Sequence, residues 1–149
     1  FTDGNLRLPL YDGDVEDTDG IPGEVQTLAD QVRAADGIII ATPEYNKMIP
    51  GVLKNALDWL SRVKGGVWAG KPVAIMSATA GRTGGEVALY TLRHAMTAFR
   101  PLMHMAPATM VAGAFKEFDD NGQLTAESYV KALTEQMAAL RAEIKRQKT

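Results

Sequence analysis

The stretch "DGIIIATPEYNKMIPGVLKNALDWLSR" spans residues 36–62, and its reading decides the fold. Ile38, Ile39 and Ile40 make a continuous β-branched run with no polar alternation. Such a run marks a strand over 36–42, buried on both faces as in a parallel sheet. Ile49, Val52, Leu53, Ala56, Leu57 and Leu60 then recur at helical spacing, and Pro50 suits a first helical position. Between strand and helix stands the turn Pro43, Glu44, Tyr45, Asn46. A plain connector would use Gly, Asp or Ser there, so the turn asks what it holds.

The same alternation continues outward in both directions. Val25, Leu28, Ala29 and Val32 form a helical stripe over 24–34. "PVAIMSA" (72–78) reads as a second buried strand, followed by the glycine-rich turn "TAGRTGGE" and a helix over 86–99 with Leu89, Leu92, Met96 and Phe99 on one face. "LMHMAPATMVAGAF" (102–115) holds a last, broken strand. The final helix, 126–147, carries Val130, Leu133, Met137, Leu140 and Ile144. That stripe could be a coiled-coil seam, but it spans too few heptads to stand alone, and docking on the sheet is expected. At the other end, "NLRLPL" (5–10) alternates and suits a short edge strand, where Pro9 is tolerated. "YDGDVEDTDGIPG" (11–23) reads as a solvated acidic loop, since its acids lack the calcium-loop spacing. Strands alternating with helices imply an α/β fold, a parallel sheet with helices on both faces, in one domain over 1–149.

Composition narrows the partners. The formal net charge of -2 over 149 residues gives no concentrated basic face, which argues against nucleic-acid binding. No apolar run approaches a membrane span, and no membrane partner is expected. The absence of cysteine excludes disulfides and thiolate chemistry, and it fits a reducing, cytoplasmic setting.

In an open parallel sheet, ligands sit beyond the carboxyl ends of the strands. Two unusual turns fall at such ends and should be neighbours. Pro43 sets the backbone direction so that following amides can point outward, Asn46 adds a donor and an acceptor, and Tyr45 offers a flat surface. Across from them, Ser77, Ala78, Gly81, Gly84 and Gly85 are small enough for a planar ligand to approach the backbone. Two such walls suit a flat heterocycle with several acceptors, a flavin among them. Two rigid turns with a helix-capping Asn would also account for these residues.

"TPEYNKMIPGVLKNALDWLSR" followed by "AGKPVAIMSATAGRTGGE" closely resembles the NADPH-dependent FMN reductase family, and the "PLYDGD" near the start fits its segment after the second strand. The resemblance implies a flavodoxin-like three-layer sandwich with parallel sheet order 2-1-3-4-5 and FMN at the strand ends. It implies cofactor-binding roles for Pro43, Glu44, Tyr45 and Asn46 on one side of the ring and Ser77, Ala78, Gly81, Gly84 and Gly85 on the other. A side chain at Gly84 is expected to fill the ring's space. The implied activity is ping-pong hydride transfer from NADPH or NADH through flavin N5 to a flavin, quinone or similar acceptor. The cofactor carries that chemistry, so no catalytic side chain is nominated. A homodimer or homotetramer is implied. The family's first strand and its phosphate loop have no counterpart in the residues from Phe1 onward, so a preceding segment is expected. Lys47 stands where relatives often have a small residue, and Glu86 and Val87 where many carry Arg.

Two other readings use the same fold: a non-catalytic flavodoxin-type electron carrier, against which the modest net charge argues, and a flavin-free interaction module. Among the remaining polar residues, His94 and His104 are expected to be structural. Lys54, Asn55 and Asp58 are expected to be solvated or to face another subunit. Lys47 is expected to face water; the other reading of it is a cation near the ring that favours the anionic reduced flavin or an acidic substrate. Arg82 suits either a nucleotide phosphate or an exposed loop. Trp59 and Trp68 suit either core or interface, and Met103, Met105 and Met110 are expected to fill the core.

Overall fold

The apolar stripes of three helices meet on one side of a short parallel sheet. The computed structural model describes residues 1–103 and 108–149, so His104 and Met105 lie outside the described residues. Its strands are β1 (Ile38–Thr42), β2 (Pro72–Ala78), β3 (Leu102–Met103) and β4 (Met110–Val111). Its helices are α1 (Gly13–Asp19), α2 (Gly23–Ala34), α3 (Gly51–Arg62), α4 (Glu86–Met96) and α5 (Glu127–Gln147). β1 and β2 are parallel and in register from Ile38 opposite Val73 to Thr42 opposite Ser77. On the other side of β2, β3 pairs at Pro72 and Val73, and β4 pairs at Ser77 and Ala78. These two arms are the broken strand expected over 102–115.

Val25, Leu28, Val32, Leu53, Leu57, Leu60, Leu89, Leu92 and Met96 join Ile40, Val73 and Ile75 in one buried cluster. That cluster gathers α2, α3 and α4 on one face, because alternate residues of a strand point the same way. Ala74, fully buried but outside it, points to the opposite face, where α5 packs on β2. Helices thus flank the sheet on both sides. Trp59 is 0% exposed and Trp68 is also buried, which assigns both indoles to the core.

The polar tie between α5 and the sheet is Gln136, 1% exposed in the middle of the expected apolar stripe. Its Nε2 donates to the Ile75 carbonyl at 2.7 Å, and its Oε1 accepts from Thr109 N at 3.2 Å and Thr109 Oγ1 at 2.9 Å. α5 therefore docks on the sheet and is not a free seam. Periodicity could not reveal this, since it scores a glutamine as solvent-facing.

Several expectations need correction. Residues 5–10 form no strand. Leu6 and Leu8 pack on the core, while the Pro9 carbonyl accepts from Asn55 Nδ2 at 2.9 Å and Trp59 Nε1 at 2.8 Å. Tyr11 N–H donates to Asn55 Oδ1 at 2.9 Å. Backbone groups that a strand would pair with a neighbour are satisfied here by α3 side chains. Asn55 is accordingly a buried clamp and is not solvated. The acidic segment is not all loop either. Asp12 caps α1 by accepting from Asp14 N–H at 2.9 Å, with Asp14 and Glu16 in the first turn where the helix dipole favours them. Arg62 Nε then bonds Glu16 Oε2 at 2.8 Å, which holds the Glu16 carboxyl below its usual range. β1 is only partly enclosed. Ile40 is buried, Ile38 and Ile39 are half-buried and Ala41 is exposed, because β1 pairs only with β2 among the described residues. Val52 and Met110 are exposed, contrary to their apolar pattern.

The turn after β1 is a tight hairpin. Tyr45 and Met48 exchange both backbone hydrogen bonds at 3.0 Å, around Asn46 (φ 52°) and Lys47 (φ 65°). Two consecutive left-handed residues define the primed turn that Asn-Gly favours. Asn46 tolerates this conformation, whereas Lys47 pays a steric penalty of about 1 kcal/mol or more.

Two stability changes follow from this packing. Gln136→Leu leaves the Thr109 donors and the Ile75 carbonyl without their side-chain partner, and should cost about 2–3 kcal/mol. Urea unfolding followed by circular dichroism reads this, and an unchanged midpoint would remove the buried tie from the account. Lys47→Gly should raise stability by about 0.5–1 kcal/mol, because glycine relieves the left-handed strain. A lowered midpoint in the same assay would contradict the strain at Lys47.

Candidate functional site

Thr42, the last residue of β1, lies opposite Ser77, one residue before the end of β2, so both strands release the chain side by side at the carboxyl edge of the sheet. From Thr42 the chain enters the Pro43–Met48 hairpin. From Ser77 it enters the 79–85 turn that leads into α4. The two turns share a cleft of about 350 Å³ lined by Glu44, Lys47, Thr79, Ala80, Gly81, Arg82 and Thr83. That volume lies in the range of small-molecule sites. A second hollow, about 240 Å³ at the opposite edge of the sheet, is occupied at its margin by structural ties such as Lys71 to the Ala35 carbonyl and Gln147 to the Gly70 carbonyl.

Glu44 joins the two walls. One carboxylate oxygen accepts from Ala88 N–H at 3.1 Å, in the first turn of α4, and the other lies 3.5 Å from Lys47 Nζ. Gly85 begins that helix with no capping side chain, so its unpaired N–H groups call for an acceptor. Glu44 supplies one from 44 residues earlier in the chain. A carboxylate at a helix amino terminus is also favoured by the helix dipole.

The nine residues singled out from the sequence separate into groups. Glu44 and Gly81 line the cleft. Pro43 is half-buried, its carbonyl accepting from Thr42 Oγ1 at 2.9 Å. Tyr45 and Asn46 are exposed on the hairpin, and the Tyr45 N–H is committed to Met48, so it is no free outward donor. Ser77 is buried with its hydroxyl donating to the Gly84 carbonyl at 2.5 Å, and Ala78 is half-buried at the end of β2.

Gly84 and Gly85 are buried behind the turn. Both have positive φ, and an added Cβ at Gly84 would stand 2.7 Å from the Met110 carbonyl oxygen. At Gly85 it would stand 2.9 Å from the Ser77 side chain. The paired glycines are therefore demanded by the protein's own packing against β4 and β2, which corrects the expectation that Gly84 keeps open space for a ligand ring. Of the three glycines in this turn, only Gly81 would place a Cβ with nothing closer than 3.7 Å.

Sequence reasoning placed Lys47 and Arg82 in water or left them undecided. Both line the cleft, from opposite walls. Thr79 and Ala80 also line it; they lie within the turn expected to form the second wall but were not singled out there. The signal was present in position alone: these are the first residues beyond a parallel strand.

Comparison with known proteins identifies the family and the fold. The sequence profile of the family described as NADPH-dependent FMN reductase matches residues 3–117. The quinone reductase of Escherichia coli K12 is 41% identical over 143 residues, covering 95% of this chain and 76% of the relative. An NAD(P)H-dependent FMN reductase of Pseudomonas aeruginosa is 39% identical over 139 residues, covering 93% and 75%. Among solved structures, the flavoenzyme NAD(P)H:(acceptor) oxidoreductase FerB from Paracoccus denitrificans superposes with a TM-score of 0.82 at 29% identity, over 94% of this chain and 76% of that one. The parallel α/β architecture is thus flavodoxin-like. The chain belongs to the NADPH-dependent FMN reductase family, flavoenzymes that work with FMN and take NAD(P)H as co-substrate.

Proposed function

We propose that this chain holds the FMN ring between its two carboxyl-edge turns and reduces quinone or flavin acceptors at the expense of NADPH or NADH. The observation that carries the proposal is the shared cleft, walled by Glu44 and Lys47 on one side and Thr79–Thr83 on the other. Its chemistry suits a flavin ring. Ala80 and Gly81 offer a wall with little side-chain bulk, and the N–H groups of Gly81, Arg82 and Thr83 donate to no protein acceptor among the described residues. Such donors match ring carbonyls and nitrogens. When bound, FMN supplies two-electron transfer between the nicotinamide and the acceptor.

The protein's own part is position. Glu44 fixes the distance between the walls by bonding α4. Ser77 and the paired glycines hold the second turn against β4. Asn46 acts through the hairpin conformation, and Tyr45, exposed on the same hairpin, offers a flat apolar surface. Pro43 and Ala78 set the points where the turns leave the sheet. No side chain is asked to move a proton. Exposed Val52, Tyr90 and Phe115 support assembly into a homodimer or homotetramer, which light scattering in solution would test. No helix among the described residues is long and apolar enough to cross a membrane, and the cysteine-free composition supports a cytoplasmic setting.

FMN titration followed by flavin fluorescence, then NAD(P)H oxidation with a quinone, tests the reading. Saturable quenching and steady turnover are expected, and neither occurring would defeat it. Saturable binding without turnover would instead favour the electron-carrier reading. Glu44→Ala should weaken FMN binding roughly tenfold by releasing α4 from the first turn, while Glu44→Gln, which keeps an acceptor oxygen, should retain most of it. Equal affinities in both variants would deny Glu44 its bridging role. Asn46→Ala should weaken FMN less than Glu44→Ala, because the lost preference for the left-handed turn costs only about 1 kcal/mol. Gly84→Val should lose folded protein as well as flavin, since its clash is with backbone; a well-folded variant lacking flavin would restore the ring-space explanation.

A further inference from the structure

A hydride brings two electrons and one proton to a neutral flavin ring, so the reduced ring carries one negative charge until a further proton joins it. Charged walls therefore bind the two redox states unequally, whereas neutral walls treat them alike. The cleft between the two turns has charged walls. Lys47 stands on the first turn and Arg82 on the second. Among the described residues that line the cleft, Glu44 is the one other charged group. One of its oxygens lies 3.5 Å from Lys47 Nζ, and the other accepts from Ala88 N–H in the first turn of α4. No ion pair or side-chain hydrogen bond engages Arg82 among the described residues. The cleft thus holds two cations against one carboxylate that is already shared. The N–H groups of Gly81, Arg82 and Thr83 add positive dipole ends on the second wall. Holding a neutral ring accounts for those N–H groups, but not for a lysine and an arginine on opposite sides.

We infer that Lys47 and Arg82 act together on the flavin as a charge pair that favours its anionic reduced form, so that FMN is held more tightly reduced than oxidised. Glu44 opposes them by offsetting Lys47. This deepens the proposed function and rests on the ring lying in that cleft. Hydride leaving the nicotinamide gives NAD(P)+ and the reduced anion. Hydride passing on to a quinone returns the ring to neutrality, and the product takes its second proton from water. Charge is stabilised on the ring where it arises, and no side chain has to deliver a proton.

Anaerobic redox titration of the FMN-loaded chain against a dye of known potential tests this. The wild type would be compared with Lys47→Gln, Arg82→Gln, their double variant, Arg82→Lys and Glu44→Gln. Preference for reduced over oxidised FMN should fall roughly threefold in Lys47→Gln and in Arg82→Gln. In the double variant it should fall roughly tenfold, a drop of about 30 mV for a two-electron couple. Arg82→Lys keeps the charge and should stay near the wild type, while Glu44→Gln should move the potential upward. Damage to the fold would not produce opposite signs from opposite charges. Raised salt should shrink every difference, since Lys47 and Arg82 are exposed. The couple takes up two protons when the reduced ring is neutral and one when it is anionic, so the slope of potential against pH halves where the reduced ring titrates. That break should lie at higher pH in the double variant, which has lost the cations that favour the anion. Unchanged potentials in the double variant, or shifts of the same sign in Lys47→Gln and Glu44→Gln, overturn the inference. Variants that weaken both redox states of FMN equally, and leave riboflavin binding unchanged, would assign the cations to the flavin phosphate and overturn it as well. A wild-type chain that binds no FMN defeats the proposed function together with this inference, whereas a loaded chain whose potential ignores these charges defeats this inference alone.

Discussion

Parallel pairing of β1 with β2 is the constraint from which the site follows. Thr42 lies opposite Ser77, so the chain leaves both strands at the same height and on the same edge. Two turns that are 35 residues apart in sequence must then share space, whatever their own conformations. A one-residue slip would turn each β1 side chain to the other face and offset the turns. Register is held by burial on one face, where Ile40, Val73 and Ile75 meet α2, α3 and α4. Hydrophobic packing on that face therefore determines where a polar cleft forms at the edge.

Packing does not by itself hold the walls at a defined separation, and a few buried polar ties add that. Glu44 reaches the first turn of α4, Ser77 holds Gly84, and Gln136 holds Thr109, whose carbonyl in turn accepts from Ser77 N–H at 2.9 Å. These contacts run from α5 through β4 and β2 to the second turn. Each is a hydrogen bond whose loss strands a buried group, so each costs more to break than it contributes when formed. Asn55 does the same for the opening segment, binding the Pro9 carbonyl and Tyr11 N–H from α3.

Legibility in the sequence divides along the same line. Strands 36–42 and 72–78 and the four longer helices were readable because each buries a periodic apolar face, and periodicity is what a chain displays openly. The meeting of the two turns in a cleft was readable too, since paired parallel strands release the chain at the same carboxyl edge. What escaped were long-range polar contacts. Nothing around Asn55 announces that its amide will meet residues 9 and 11, and nothing near Gly85 announces that its helix is capped from residue 44. Residues 5–10 alternate like a strand, yet their backbone groups find side chains in place of a neighbouring strand. The acidic run at 12–19 hid a helix because Asp-Gly-Asp is as good a loop as it is a cap. Gln136 looked solvent-facing by type, and only the sheet beneath it shows why a polar side chain belongs there.

The glycines carry the last lesson. A glycine-rich turn at a strand end invites the reading that small residues make room for a ligand. Gly84 and Gly85 make room instead for Met110 and Ser77, and their positive φ values are required by the turn itself. The second wall is therefore built by the protein's own close packing before anything binds. A wall formed in advance lowers the ordering cost that a ligand would otherwise meet. Lys47 has a left-handed backbone too, but its side chain is largely exposed and lies 3.5 Å from Glu44. Where an unusual backbone is pressed against close neighbours, glycine is found; where the same backbone faces the open cleft, a long side chain is tolerated.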